Sequence, residues 1–379
     1  MSINEEYNVT HSHEVSFIDE NGELKTTKVP VVQELARQGL INDHFPKRFI
    51  ALPPRTCTVD DCRSATPPVI DIAKLKRDGT RELELRRLAD AAKEWGVFLI
   101  ENHGVDDMVL DDVKDVVKGF FGLSFEEKKA NVGSYKSVDN MGYGKNFVKS
   151  EDQPLDWIDR LTMKAAPVDP DEATNGLLIW PKKPTNFRQA VEKYVEKSRK
   201  ILDGLLQDLA ESLSLDKNAF LQQFEPKESE IKVRVNYYPP CPRPDLAIGI
   251  MPHTDPSGLT LLLEFGTTSA LQVQKDKFWT TLQLPNDNSL LVNIGDLLEI
   301  MSNGILNSPW HQVRTQLEME RFSLACFYNP PAKSEIRPVV VGDSPEKIYK
   351  KVGVEDYVSN YYKISPTTSK EAIMYAKII

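Results

Sequence analysis

The sequence predicts an α+β protein in which a largely helical N-terminal half packs against an all-β C-terminal half. Before residue 225, long stretches place apolar residues three and four positions apart, as the buried face of a helix requires. After about residue 231, short runs of Val, Ile, Leu, Tyr and Phe are separated by Pro, Gly, Asn and Asp. Such closely spaced strands indicate a sandwich or a barrel, because βαβ units would need a helix between strands.

The helical half follows a polar extension, residues 1–66, that contains one helical patch. A Pro-Pro pair then leads into a short strand, and the next helix carries Leu83, Leu85, Leu88 and Ala92 on one face. Gly96 turns the chain from that helix into a strand. In chain order the predicted elements are VPVVQELARQGLI (helix), PPVIDIAKL (strand), RELELRRLADAAKEW (helix), VFLIEN (strand), DMVLDDVKDVVKGFFGLS (helix) and residues 183–224 (helix).

The β half contains at least five short strands, followed by a segment of helical character. The predicted strand segments are IKVRVNYY, GLTLLLEF, ALQVQ, SLLVNIGDLLEIMS, WHQVRTQ and RFSLACFYN. The last stretch, SPEKIYKKVGVEDYVSNYYKIS, is expected to be helical and to cover one end of the barrel. We therefore divide the chain into an extension (1–66), a mainly helical region (67–225), a β core (226–335) and a C-terminal helical segment packed on the core (336–379).

Composition excludes several classes of protein. The 379 residues carry a formal net charge of −9 and contain no block of Lys and Arg, which argues against nucleic acid as a partner. No apolar run approaches the roughly 18 residues of a membrane helix, and the polar start resembles no targeting peptide. Four cysteines without a C-x-x-C pair indicate free thiols. We expect a cytoplasmic protein that is a monomer by default and does not bind membranes.

Three polar pairs separated by two positions occur in segments that otherwise resemble core strands. Residues two apart share one face of a strand, so each pair points the same way. Three pairs that face one barrel interior would build a polar pocket, because buried polar groups need partners. The pairs are Asn236 with Tyr238, His253 with Asp255, and Arg321 with Ser323.

A further histidine, His311 in NSPWHQVRT, is the candidate that could complete a metal site with His253 and Asp255. Two imidazoles and one carboxylate form the ligand set of non-haem Fe(II) oxygenases, which leaves coordination positions open. A structural zinc site would use four protein ligands instead. The spacing alone also permits a structural histidine and an ordinary ion pair.

Arg321 and Ser323 suggest which co-substrate would bind at the open coordination positions of such an iron site. The planar guanidinium suits a carboxylate, and the hydroxyl adds a second donor on the same strand face. 2-Oxoglutarate fits this arrangement, since its 2-oxo acid end can chelate iron while its distal carboxylate reaches the Arg321 pair.

Almost the whole chain, from about residue 30 to 365, resembles the plant 2-oxoglutarate- and Fe(II)-dependent dioxygenases of the isopenicillin-N-synthase-like superfamily. The matching runs include PPVIDIAKL, AAKEWGVFLIENHGV, GYGKNFVKSEDQPLDW, NYYPPCPRPDLAIGIMPHTDPSGLTLLL, LLVNIGDLLEIMSNG, SPWHQV and RFSLACFYNPP. The early segment VPVVQELARQGLINDHFPKRFI is similar to the extension of specialised-metabolism members, such as the codeine demethylase and feruloyl-CoA hydroxylase groups.

The resemblance implies a double-stranded β-helix (jelly-roll) core that binds Fe(II), 2-oxoglutarate and O2, with ascorbate as the reductant. It makes His253, Asp255 and His311 the iron ligands. Arg321 and Ser323 would hold the distal carboxylate of 2-oxoglutarate, and Asn236 and Tyr238 would reach the co-substrate. Tyr143 and Phe327 match positions that line the substrate pocket in the family, although either could be a core aromatic.

The expected activity is oxidation of a small specialised metabolite by hydroxylation, O- or N-demethylation, desaturation or ring closure, with release of succinate and CO2. Two alternatives stay open at this point: an oxidase of the same fold that needs no 2-oxoglutarate, and a catalytically silent binding protein. Gln312 follows the last histidine where many members have Arg, a change that leaves the ligand intact. The presence of Asp255 argues against halogenation, because related halogenases have a small residue there.

Overall fold

A computed structural model describes residues 11–18, 22–39, 45–51, 62–132, 141–144, 148–166, 180–267, 269–339 and 347–378. The helices within these ranges are α1 Val32–Arg37, α2 Asp78–Asp90, α3 Asp107–Gly122, α4 Phe125–Val132, α5 Phe187–Ser212, α6 Leu221–Phe224, α7 Asp296–Met301 and α8 Val354–Ile364. A π turn, Ala91–Trp95, extends α2, and 3-10 turns form at Lys47–Phe49, Lys74–Lys76 and Ala372–Ala376.

The strands form two main sheets and two small hairpin sheets. They are β1 Ser12–Ile18, β2 Leu24–Pro30, β3 Cys62–Ala65, β4 Val69–Asp71, β5 Val97–Glu101, β6 Gly142–Gly144, β7 Asp159–Ala166, β8 Glu230–Tyr238, β9 Ile248–His253, β10 Leu259–Gly266, β11 Leu271–Lys275, β12 Phe278–Leu282, β13 Leu290–Ile294, β14 His311–Arg314, β15 Arg321–Asn329, β16 Glu335–Ile336 and β17 Val352–Gly353. The larger sheet has the order β4-β5-β13-β10-β15-β8-β7-β6, and the smaller has the order β3-β12-β11-β14-β9.

The two sheets enclose the core as a jelly roll, as the resemblance predicted. Side chains alternate along β10: Leu259, Leu261 and Leu263 belong to the large hydrophobic cluster that includes α3 and α5. Leu262 instead packs with Leu271 of the opposite sheet. The period-two pattern therefore places the helices on one face of the larger sheet and the smaller sheet against its other face.

The helical region also supplies strands to the β core. Strands β4 and β5 extend one end of the larger sheet, and β6 and β7 extend the other through pairing of β7 with β8. The predicted boundary near residue 225 therefore separates segments of the chain that share a sheet. The four-region division itself stays a prediction.

Several segments differ from the sequence prediction, and Leu83, predicted on the buried face of α2, is exposed. The extension contains a β-hairpin, β1 paired with β2, in addition to the expected helix α1. In SLLVNIGDLLEIMS the strand ends at Ile294 and helix α7 follows, because Leu297, Leu298 and Met301 are buried at helical spacing. In the described part of SPEKIYKKVGVEDYVSNYYKIS, residues 347–365, the α-helix is Val354–Ile364, and Val352–Gly353 before it forms strand β17.

Candidate metal centre and co-substrate pocket

The strand register brings the two predicted histidine ligands side by side. His253 ends β9 and pairs directly with His311, the first residue of β14. Their ring centroids lie 4.2 Å apart. Asp255 follows two residues after β9, and each histidine Nε2 lies 3.8 Å from its Oδ1. One ligand atom from each of the three residues therefore falls within 4.8 Å of the others.

Backbone carbonyls orient both imidazole rings. The Nδ1 of His253 lies 2.9 Å from the Met251 carbonyl oxygen, and the Nδ1 of His311 lies 3.0 Å from that of Pro309. A carbonyl only accepts hydrogen bonds, so each Nδ1 carries the proton and donates it. Each Nε2 therefore presents its lone pair towards Asp255 Oδ1, which is the arrangement of histidine ligands in metal sites.

Asp255 is positioned by side chains of the larger sheet. Its Oδ2 accepts a hydrogen bond from Thr260 Oγ1 at 2.8 Å and one from Asn293 Nδ2 at 3.4 Å. These bonds leave Oδ1 to face the histidines. Burial, followed by the neighbouring His311 ring, holds the pKa of the His253 imidazole well below its ordinary value, so this ring is neutral at pH 7.

The turn after the acid packs tightly on the start of α7. The backbone N–H of Asp296 donates to the Asp255 carbonyl at 2.8 Å, and that of Leu297 donates to Ser257 at 3.0 Å. A Cβ at Gly295 would lie 2.0 Å from the Ser257 carbonyl oxygen. Only glycine permits this approach, so Gly295 helps to fix the loop that carries Asp255.

The other two polar pairs meet on neighbouring strands of the larger sheet. In the β8–β15 register, Tyr238 lies opposite Arg321 and Asn236 lies opposite Ser323. Asn236 Nδ2 donates to Ser323 Oγ at 3.2 Å, and the Arg321 guanidinium lies 4.8 Å from the centroid of the Tyr238 ring. All four predicted co-substrate residues therefore form one group, and all four are buried.

Glu264 is a charged neighbour that sequence reasoning missed. It is fully buried on β10 and pairs with Arg321 Nη2. Burial alone would lower the pKa of Arg321, but the Glu264 carboxylate and Tyr238 outweigh it, so the pKa is raised. In the sequence, Glu264 was hard to identify as a buried partner, because an acid in the run LTLLLEF also fits a strand end. Arg321 Nε and Nη1 have no hydrogen-bond partner among the described residues.

These groups line one cavity of about 1380 Å³ between the sheets. Phe327, a predicted substrate residue, lines the cavity and stands on the same face of β15 as Arg321 and Ser323. Tyr143, the other one, lies instead in the hydrophobic core, packed against Phe120 and Phe125. Met141 and Val148 line the cavity in that region. Tyr143 is therefore a core aromatic, which is the alternative that the sequence left open for this residue.

Comparison with known proteins agrees with this geometry. Residues 230–330 match the family model described as the 2OG-Fe(II) oxygenase superfamily, and residues 67–183 match "non-haem dioxygenase in morphine synthesis N-terminal". The chain is 34% identical to Protein SRG1 of Arabidopsis thaliana, an alignment that covers 87% of this chain and 91% of that protein. It is 35% identical to codeine O-demethylase of Papaver somniferum, with 86% and 90% covered.

The chain belongs to the 2OG-Fe(II) oxygenase superfamily. A solved structure of JOX2 in complex with 2OG, Fe and JA is similar over 93% of this chain and 98% of that chain, with a TM-score of 0.80 and 29% identity. The chain is therefore an Fe(II)- and 2-oxoglutarate-dependent oxygenase with a jelly-roll core, as its sequence predicted.

The residues of this oxygenase fit the metal and the co-substrate. Two imidazoles with free Nε2 lone pairs and one carboxylate oxygen are the donor set expected for Fe(II). Arg321 Nε and Nη1 and Asn236 Oδ1 are buried and have no hydrogen-bond partner among the described residues. Both side chains line the same cavity, where a ligand could satisfy these atoms.

A buried network connects the oxygenase's C-terminal helix to the metal loop. Thr254 lies between His253 and Asp255 in the chain, and its Oγ1 donates to Asp296 Oδ2 at 2.9 Å. Tyr357 donates to the same oxygen at 2.8 Å, and Tyr361 donates to the Thr254 carbonyl at 2.6 Å. Burial raises the pKa of Asp296 to about 6. The tyrosines of α8 thus help to hold the loop that carries His253 and Asp255.

Proposed function

We propose that this oxygenase oxidises a small specialised metabolite, with His253, Asp255 and His311 as its iron ligands. The observation that carries the assignment is the shared centre of these three side chains, each oriented by a separate hydrogen bond. Relatives named codeine O-demethylase, thebaine 6-O-demethylase and flavonoid 7-O-demethylase support a plant metabolite as the substrate. Hydroxylation, demethylation, desaturation and ring closure all belong to the proposed range.

We assign the distal carboxylate of 2-oxoglutarate to Arg321 and Ser323, with Asn236 and Tyr238 beside them. The Arg321 guanidinium is buried and offers charge-assisted donors, which form stronger hydrogen bonds in a low local dielectric than in water. When bound, Fe(II) supplies O2 activation coupled to oxidative decarboxylation of 2-oxoglutarate to succinate and CO2. Phe327 contributes an apolar wall that orients the organic substrate.

The proposal also covers the assembly and location of the protein. None of the helices in the described part of the chain combines the length and apolarity that a bilayer crossing requires. We propose a cytoplasmic monomer that acts on a small molecule and binds neither nucleic acid nor membrane. We also propose the four-region division of the chain, with the extension, helical region and C-terminal segment surrounding the β core.

The test is a turnover assay with the full chain, Fe(II), ascorbate, 2-oxoglutarate and fractionated plant metabolites. We expect at least one fraction to increase succinate formation and to yield a product that has gained an oxygen atom, lost a methylene or lost two hydrogen atoms. The matched control is His311→Ala, which should form no succinate. Succinate formation that no metabolite fraction increases, or full activity of the control variant, would contradict the proposal.

A further inference from the structure

Arg234 lines the cavity, and of its guanidinium nitrogens only Nε has a hydrogen-bond partner among the described residues. It lies on β8 two positions before Asn236, so both side chains share the face that lines the cavity. Its Nε donates to Thr162 Oγ1 at 3.3 Å, and its Cζ lies 5.3 Å from the centroid of the Phe327 ring. Among the described residues, no carboxylate pairs with Arg234.

The other two arginines of this cavity wall each have an acidic partner. Arg321 pairs with Glu264, and Arg160 Nη2 lies 3.3 Å from Asp156 Oδ2. The planar fork of a guanidinium that lines a cavity matches the geometry of a carboxylate, and a charge-assisted pair with it is stronger than a neutral hydrogen bond. Arg234 is therefore the arginine of this wall that has no acidic side chain beside it among the described residues, which leaves it available to a ligand carboxylate.

The strand face around Arg234 carries an excess of positive charge. Lys164 and Lys232 share the carboxylate of Glu230, at 3.4 Å and 3.6 Å. Arg234 adds a positive charge beside this group, and no acidic side chain among the described residues pairs with it, in a chain whose net charge is −9. Glu355 of α8 also lines the cavity. The local excess favours an anionic ligand group even though the whole protein is acidic.

The register relates Arg234 to the metal centre. Thr260, which donates to Asp255, is the β10 partner of Phe327 on β15, and the Arg234 guanidinium lies over that ring from β8. Arg234 pairs with Ala325, two positions along β15 from Phe327. With adjacent strands about 4.8 Å apart and about 3.4 Å per residue along a strand, the β8 backbone at Arg234 lies roughly 12 Å from Thr260. A small ring compound would span that distance. Leu262, Leu271 and Val313 provide apolar walls for its body.

We propose that Arg234 binds a carboxylate of the organic substrate, which makes the substrate a small, largely apolar acid. This inference rests on the proposed function and specifies its substrate class. The Phe327 ring packs between the arginine and the metal side of the cavity, where it supports the apolar body. Arg234 is thus a specificity-determining residue, distinct from the group assigned to 2-oxoglutarate.

The experiment compares carboxylic acids with their own methyl esters. A panel of about forty aryl- and cycloalkyl-alkanoic and cinnamic acids, each with its ester, is tested for binding and for increased succinate formation by the full chain with Fe(II) and 2-oxoglutarate. We expect the best acids to bind at least roughly tenfold more tightly than their esters, as a charge-assisted hydrogen bond predicts. In Arg234→Gln that preference should fall to near unity while ester binding persists.

Two further variants complete the design. Arg234→Lys keeps the charge without the planar guanidinium and should show an intermediate preference. Arg86→Gln removes an exposed arginine of α2 that pairs with Glu82, and it should behave as the wild type. Persistent ester binding shows that an Arg234 variant is folded.

Three outcomes would overturn the assignment of Arg234. In the first, the wild type binds acids no more tightly than their esters. In the second, Arg234→Gln keeps the wild-type preference for acids. In the third, Arg234→Gln binds 2-oxoglutarate more weakly while its preference for acids is unchanged. If neutral metabolites alone increase succinate formation, the acid proposal fails while the proposed function holds. If no metabolite of either charge does so, the proposed function itself fails.

Discussion

At the scale of single residues, the imidazole of His311 tests the metal assignment. Its Nδ1 is committed to the Pro309 carbonyl, and its Nε2 faces Asp255. Loss of a hydrogen-bond partner of a ligand typically lowers metal affinity by about 10–100-fold, so loss of the ligand should cost more. We expect His311→Ala to weaken Fe(II) binding more than 100-fold, as measured by competition with a chromophoric chelator.

The fold should survive that change, which circular dichroism would verify. His11→Ala is the matched control, since His11 lies in the N-terminal hairpin and contacts Glu126. Unchanged iron affinity in His311→Ala would remove this residue from the metal centre.

Arg321 affects both co-substrate binding and stability, because Glu264 depends on it. Arg321→Ala would leave a buried carboxylate without its cation, at a cost of roughly 3–5 kcal/mol in the free energy of unfolding. The double variant Arg321→Ala/Glu264→Gln should recover much of that loss. Both variants should bind 2-oxoglutarate more weakly by about 1.5–3 kcal/mol.

Denaturant unfolding and 2-oxoglutarate titration separate these two effects. If the double variant binds 2-oxoglutarate as tightly as the wild type, Arg321 does not hold the co-substrate. If Arg321→Ala is as stable as the wild type, the buried pair with Glu264 carries no structural role.

At the scale of elements, helix α8 supports the metal loop from outside the sheets. The hydroxyl of Tyr361 donates to the carbonyl of Thr254, the residue between His253 and Asp255. Tyr361→Phe removes one buried donor and leaves that carbonyl unsatisfied, which typically costs about 1–3 kcal/mol. We expect lower stability and a several-fold weaker Fe(II) affinity, because the loop loses a fixed point next to both ligands.

Tyr375→Phe provides the control for this change. Tyr375 is exposed and follows the same helix in sequence, so it should change neither stability nor iron affinity. An Fe(II) affinity in Tyr361→Phe equal to that of the control would show that α8 does not support the loop.

The elements also show which parts of the fold the sequence could predict. The alternation in β8 and β15 predicted which side chains face the cavity, because strand geometry fixes that relation. The hairpin β1–β2 was missed, although Asn21-Gly22 stands between its strands and is a strong hairpin signal. The contact of Glu264 with Arg321 and the core position of Tyr143 depend on tertiary packing, which local pattern does not encode.

At the scale of the whole molecule, the N-terminal extension packs on the body of the oxygenase at a buried charged cluster. Asp159 of β7 accepts hydrogen bonds from the backbone N–H groups of Val32 and Gln33 at the start of α1. Lys128 of α4 is fully buried and donates to the Gln33 side chain. Residues from α1, α4 and β7 thus meet here, and the protonation of Lys128 affects global stability.

Burial lowers the pKa of Lys128 to about 8, although Asp159 opposes the shift. The unfolded chain holds this proton up to a pKa near 10.5, so between pH 8 and 10.5 it binds more protons than the folded chain. The penalty for a buried charge is complete below pH 8 and disappears as the pH rises to 10.5. Lys128 should therefore add about 3 kcal/mol to the free energy of unfolding across this window.

Denaturant unfolding at pH 7.5 and pH 10 of the wild type, Lys128→Met and Lys129→Met tests this linkage. The wild type and Lys129→Met, whose lysine is exposed on the same helix, should share the contribution that rises with pH. Lys128→Met should lack it, because its side chain does not titrate, and its stability relative to the wild type should fall from pH 7.5 to pH 10. An identical pH dependence in all three proteins would mean that Lys128 keeps an ordinary pKa. Burial of its charge would then not lower the stability of the contact between the extension and the body of the protein.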